Sequence, residues 1–159
     1  MVINTSLILQ ITEVVDYIWS LQILYNKNMQ DSVFTKIIKG DVPCHKIYED
    51  ALTVAFLDIN PVAPGMTLVV SKQQVDNIED LSTDDYRALW DTVQKVAKRL
   101  RHVFPDYKKI CIQVEGLDVP HAHAKLFPIN TGADSRALPD AKKPTDHAAL
   151  AVIAAKLAF

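Results

Sequence analysis

Apolar residues recur along this chain in rhythms that change twice. Near the N-terminus Leu7, Ile11, Val14, Ile18, Leu21 and Tyr25 alternate spacings of four and three, the stripe of an amphipathic helix. Glu13 and Asp16 sit inside that stretch, where a membrane span would suffer most, and no Lys or Arg precedes Lys27. The positive flank of a secretory signal is therefore missing. Residues 1–28 are expected to be an N-terminal extension that forms a packed helix, with Met29 as an alternative native start. Residues 29–159 are expected to form one domain.

From Asp31 the periods shorten. Phe34–Lys39 reads as a helical turn ending at Gly40, and Lys46–Glu49 and Leu52–Asp58 as strands joined tightly through Glu49-Asp50. Asn60-Pro61 and Pro64-Gly65 punctuate a loop before a strand at Met66–Ser71. Ser82 is a good N-cap for the clearest helix, whose stripe runs Tyr86, Leu89, Trp90, Val93, Val96, Ala97, Leu100, Val103 until Pro105 stops it. Lys95, Lys98, Arg99 and Arg101 fall largely off that stripe and read as a solvated face. Lys109–Glu115 and His121–Phe127 are the next strands, around the turn Gly116-Leu117-Asp118. Pro144-Thr145-Asp146 then opens a terminal helix with Leu150, Ile153 and Leu157 on one side. The expectation is an α+β fold: five strands, mostly antiparallel, with one long helix and one or two shorter ones.

Composition narrows the function classes. A net charge of -2 over 159 residues gives no electrostatic case for a nucleic-acid partner. Cys44 and Cys111 lie far apart with no paired spacing, so reduced thiols in a cytoplasmic protein are expected.

The chemistry concentrates late in the chain. Side chains alternate across a strand, so His121, His123 and Lys125 would share one face and Ala122, Ala124 and Leu126 the other. Three basic groups on one face suit an anion, and small alanines behind them imply close cover by the long helix. A chance arrangement on an exposed edge strand is the bland alternative, since Pro120 suits an edge or a strand start. Zinc ligation is weaker, because no further ligand-spaced motif completes a site.

Several blocks in order add a resemblance. Phe34 to Pro43, Ile47-Tyr48-Glu49-Asp50, Ala55 to Pro61, Pro64-Gly65, Leu68-Val69-Val70 and Val119 to Lys125 resemble successive blocks of the histidine-triad nucleotide-binding proteins. The likeness runs from about Met29 to Pro128. It implies an α+β fold, usually a homodimer, that binds a nucleotide against the sheet and hydrolyses or transfers a nucleotidyl group without a cofactor. By position His123 is similar to the family's nucleophile, which forms a nucleotidyl-histidine intermediate, and His121 to a neighbour that orients it. Asp58 matches a residue that binds the ribose hydroxyls; Phe34, Ile37, Val42 and Phe56 match the base pocket. The expected substrate is a purine nucleotide derivative such as a dinucleoside polyphosphate, with no nucleic-acid or membrane partner. A nucleotidyl transferase or phosphorylase, and a catalytically weak nucleotide sensor, are the rival readings.

The sequence departs from the family pattern in four places. Lys125 replaces the third histidine, Met66 a histidine after the Pro-Gly pair, Val114 an asparagine, and Asp118 a phosphate-binding Ser or Thr. Lysine keeps a positive donor but is a weaker acid than imidazolium by about 4 pKa units. Asp118 is expected to turn from phosphate or to pair with Lys125. Relatives that carry zinc use cysteines at the positions of Ser32 and Thr35 and a histidine at Gln74, so no metal is expected.

Overall fold

Long uninterrupted apolar runs in an antiparallel sheet need cover on both faces, and this sheet has it. The computed structural model describes Val14, residues 30–140 and residues 142–159. Apart from Val14, the stripe expected at Leu7–Tyr25 lies outside the described residues. Among the described residues five strands are present: β1 Lys46–Glu49, β2 Thr53–Leu57, β3 Thr67–Ser71, β4 Lys109–Gln113 and β5 His123–Ile129. Their order is β1-β2-β3-β5-β4, and every neighbouring pair is antiparallel. From residue 30 on, the described residues form three α-helices beside them: α1 Val33–Lys39, α2 Thr83–Val103 and α3 His147–Leu157. The expected α+β architecture is therefore present.

One face of the sheet packs against α2. Leu89, Val93, Val96 and Leu100 meet Ala55, Leu57, Val69, Ala122, Ala124 and Leu126, and α3 adds Leu150, Ala154 and Leu157. Ala124 is completely buried, as the close cover inferred from small alanines requires. The opposite face carries a smaller cluster of Phe34, Val54, Phe56, Leu68 and Val70 beneath α1. This second face, covered among the described residues by the short α1, carries the candidate site.

Helix ends follow from local chemistry. Ser32 caps α1 by accepting from Thr35 N, and Gly40 ends it at φ 86. Ser82 caps α2 and Asp146 caps α3 in the same way. Gly65 has φ 77, and a Cβ there would lie 2.4 Å from Phe104 Cε2, so glycine lets the loop before β3 pass under the end of α2.

Several expectations need correction. Leu52 lies outside β2, because Asp50 Oδ1 takes the amides of Leu52 and Thr53 (3.0 and 2.8 Å) and makes a turn of them. Met66, Val114 and Glu115 fall outside their strands. Tyr86 is exposed and Asp85 is the buried residue one turn before Leu89; Thr92 is buried too, its hydroxyl meeting that of Thr53 at 2.8 Å. Arg99 is not simply solvated, since its guanidinium donates to the carbonyls of Lys156, Leu157 and Ala158 and caps α3. The edge-strand alternative fails, because β5 is paired on both sides. Among the described residues, no helix is long and apolar enough to cross a membrane.

Candidate active site

The register Val70↔His123 and Leu68↔Lys125 puts His123 and Lys125 on the α1 side of the sheet. His121 does not continue the strand. Its amide bonds Val119 O, and the amide of Ala122 turns away to Val75 O at 2.7 Å, so ladder pairing starts only at His123. The expectation of three groups alternating along one strand is corrected to two on the strand and one on the turn before it.

Backbone carbonyls set the proton positions of both histidines. His123 Nδ1 lies 2.7 Å from His121 O. A carbonyl only accepts, so Nδ1 carries the proton and Nε2 of the neutral ring keeps its lone pair. The ring is buried and packs edge-on against Phe34, centroids 5.1 Å apart. Burial pushes its pKa down, the bond to His121 O opposes that, and the Lys125 charge lowers it further.

His121 is fully buried. Its Nε2 lies 2.7 Å from Ser71 O and its Nδ1 2.7 Å from Ser32 Oγ. Burial again lowers its pKa, with the neighbouring His123 acting the same way. Of the three basic groups expected on one face, two are imidazoles whose pKa burial lowers and one is the Lys125 side chain.

That ammonium is not idle. Lys125 Nζ pairs with Glu115 Oε1 at 2.5 Å, and this bond holds the Glu115 carboxyl below its ordinary pKa. Of the two outcomes open for Asp118, turning away or pairing with Lys125, the pairing is not found; Glu115 is the carboxylate that Lys125 meets. The antiparallel pair Gln113↔Lys125 places the end of β4 beside Lys125, but that register is not readable without the strand order.

A cavity of about 330 Å³ opens on this face. Phe34, Ile37, Val42 and Phe56 line it together with Asp58, His123 and Lys125, so these seven expected site residues converge. His121 stands behind them as a support. Asp58 is oriented by its own turn, its Oδ1 accepting from Asn60 N at 2.8 Å. Cys44, Leu68, Glu115 and Leu117 also line the cavity and were not anticipated, and Asp118 shares the rim. Met66 is buried away from it, its sulfur accepting from Val62 N.

The positions compared with zinc ligands meet in space but do not suit the metal. Ser32 Oγ, Thr35 Oγ1 and Gln74 Oε1 are two hydroxyls and an amide oxygen, already hydrogen-bonded to one another and to His121. Zinc sites are built from thiolate, imidazole and carboxylate. Among the described residues, no three His, Cys, Asp or Glu side chains cluster for a metal.

Comparison with known proteins follows the same lines. A family model described as the HIT domain matches residues 39–131. Protein hit of Bacillus subtilis is 32% identical over 103 residues, 62% of this chain and 71% of that protein. An adenosine 5'-monophosphoramidase, hnt1 of Schizosaccharomyces pombe, is 35% identical over 100 residues, 60% of this chain and 72% of that one. Among solved structures, a Hit-like protein involved in cell-cycle regulation from Bartonella henselae superposes with a TM-score of 0.70 at 30% identity, covering 80% of this chain and 93% of its own. A Zn-bound histidine triad family protein from Mycobacterium smegmatis gives 0.64 at 26% identity, with 79% and 91% covered.

Proposed function

Since the chain belongs to the HIT domain family, we propose that it is a nucleotide-binding hydrolase acting at the α-phosphorus of a nucleotide derivative through His123. The observation that carries this reading is the bond from His123 Nδ1 to His121 O, which leaves Nε2 as the nucleophilic nitrogen beside the cavity. Nε2 attacks phosphorus, an N–P bond forms, and the P–O bond to the leaving group breaks. The Nδ1 proton stays in place, so the ring becomes cationic and the His121 carbonyl faces that charge. Water then adds to phosphorus, the P–N bond breaks, one water proton goes to solvent, and the ring returns to neutral.

The remaining roles follow from the chemistry of each group. Asp58 can accept from both hydroxyls of a ribose. The walls formed by Phe34, Ile37, Val42 and Phe56 suit a flat apolar base, a purine by size. Lys125 meets the negative charge of a departing phosphate once it leaves Glu115. A dinucleoside polyphosphate is the favoured substrate class, because a phosphate needs no proton to leave. The names of two relatives as adenosine 5'-monophosphoramidases favour a second reading, cleavage of a phosphorus–nitrogen bond. Transfer to phosphate rather than water is the third. A homodimer in the cytoplasm completes the proposal, supported by the open edge of β4 and by two free thiols.

The test is an acid quench during turnover followed by intact-mass measurement. A nucleotidyl adduct on the native chain, absent in His123→Ala, is the expected result. Undiminished turnover in that variant would sink the assignment. Product analysis with and without phosphate separates hydrolysis from transfer.

A further inference from the structure

Behind His123 lies a chain of hydrogen bonds that links Thr35, Gln74, Ser32 and His121. Thr35 Oγ1 sits against Gln74 Oε1, an oxygen with no proton, so the threonine hydroxyl donates there. Gln74 Oε1 also accepts from Ser32 N at 3.0 Å. The Thr35 proton is thereby committed. Ser32 Oγ accepts from Thr35 N at 3.1 Å and lies 2.7 Å from His121 Nδ1. On the other side of the ring, Nε2 faces Ser71 O and must be the protonated nitrogen. A neutral His121 therefore needs a donor at Nδ1; Thr35 Oγ1, 3.4 Å away, has its proton on Gln74, and Ser32 Oγ, which also lies 3.2 Å from Thr35 Oγ1, is the nearer hydroxyl at 2.7 Å.

We propose that Ser32 is a positioning residue: its hydroxyl fixes His121 as the Nε2–H tautomer and so holds the His121 carbonyl where it receives the His123 Nδ1 proton. The path is continuous: Thr35 to Gln74, Ser32 to His121 Nδ1, His121 O to His123 Nδ1, and His123 Nε2 to the cavity. His121 is anchored at both ring nitrogens within a fully buried site, so it cannot rotate without losing a bond. Its carbonyl inherits that rigidity. Oxygen donors that do not fit a metal thus perform the orienting task by hydrogen bonding. The inference rests on His123 being the nucleophile.

Ser32 also caps α1, and the test must separate the cap from the donor. Ser32→Asp keeps a cap-competent oxygen but offers no proton when ionised. Ser32→Thr keeps both. Histidine ¹⁵N chemical shifts of the native protein should show His121 protonated at Nε2 and His123 at Nδ1. In Ser32→Asp the His121 signal should change, and kcat should fall about tenfold to a hundredfold with KM nearly unchanged, the size expected of a misplaced reacting group. Ser32→Thr should restore both. A native His121 protonated at Nδ1 overturns the proposal even if the Asp variant does not fold, and so does native kcat in Ser32→Asp. If His123 is not the nucleophile, His123→Ala stays active; if only the positioning idea fails, His123→Ala is dead and Ser32→Asp is not.

Discussion

Lys125 reaches across from β5 to Glu115, just past the end of β4, and the two close a charge pair of 2.5 Å at the rim of the cavity. The single cation of the site is therefore held by a carboxylate until a stronger anion competes for it. Glu115→Gln should lower KM for dinucleoside polyphosphates severalfold and leave kcat near native. A raised KM would mean that Glu115 aims Lys125 rather than restraining it.

The same lysine bears on the leaving group. An amine must be protonated as it leaves phosphorus, and an alkylammonium is by its chemistry a weaker acid than an imidazolium. Lys125→His should raise kcat/KM for phosphoramidates more than for polyphosphates. Equal changes for both substrates, or a native preference for phosphoramidates, would refute the acid-strength argument.

Asp58→Ala should weaken ribonucleotide binding by about 1.5–3 kcal/mol, the usual worth of a hydrogen bond to a charged group. Titration with a 2′,3′-dideoxynucleotide should then show little difference between native and variant. Equal sensitivity of both proteins to the sugar hydroxyls would remove Asp58 from the ribose site.

The pH dependence has a definite sign. His121 and His123 have folded pKa values below their ordinary 6.5, chiefly through burial, so the folded state binds fewer protons than the unfolded one. Their contribution to stability is full above the unfolded value and is lost as pH falls through the folded values. Tm should hold between pH 8 and about 6.5 and decline below it. The acid limb of kcat/KM should likewise lie below about 6.5; a limb centred above that would mean the nucleophile is not the buried imidazole.

A chain shortened to begin at Met29 should bind nucleotide with native affinity, because the described residues that line the cavity lie beyond that point. Aggregation or lost binding would place the Leu7–Tyr25 stripe in the core.

How far the sequence led depended on the range of the interactions involved. Caps at Ser32, Ser82 and Asp146 and the glycine stop at Gly40 act within a few residues, and the elements they bound were legible. That Asp58, Phe34, Ile37, Val42 and Phe56 meet at one cavity was legible only through the block resemblance, since Phe34 or Phe56 taken alone reads as ordinary core. Strand order is long-range, and with it went the interior position of β5 and the meeting of Glu115 with Lys125. His121 left the strand because the amide of Ala122 is taken by Val75, a partner 47 positions away that no alternation pattern announces.

The strand that bears His123 and Lys125 is also the one that joins β3 to β4. As the chain emerges during synthesis, β1, β2 and β3 can pair as consecutive antiparallel neighbours, while β4 has nowhere to dock until residues through Ile129 have followed it. Until then β3 presents an open edge and β4 an unpaired one, the kind of backbone that invites aggregation. The sheet closes and His123 arrives in a single event. An interrupted chain would therefore carry no partly built site, only an unfinished sheet.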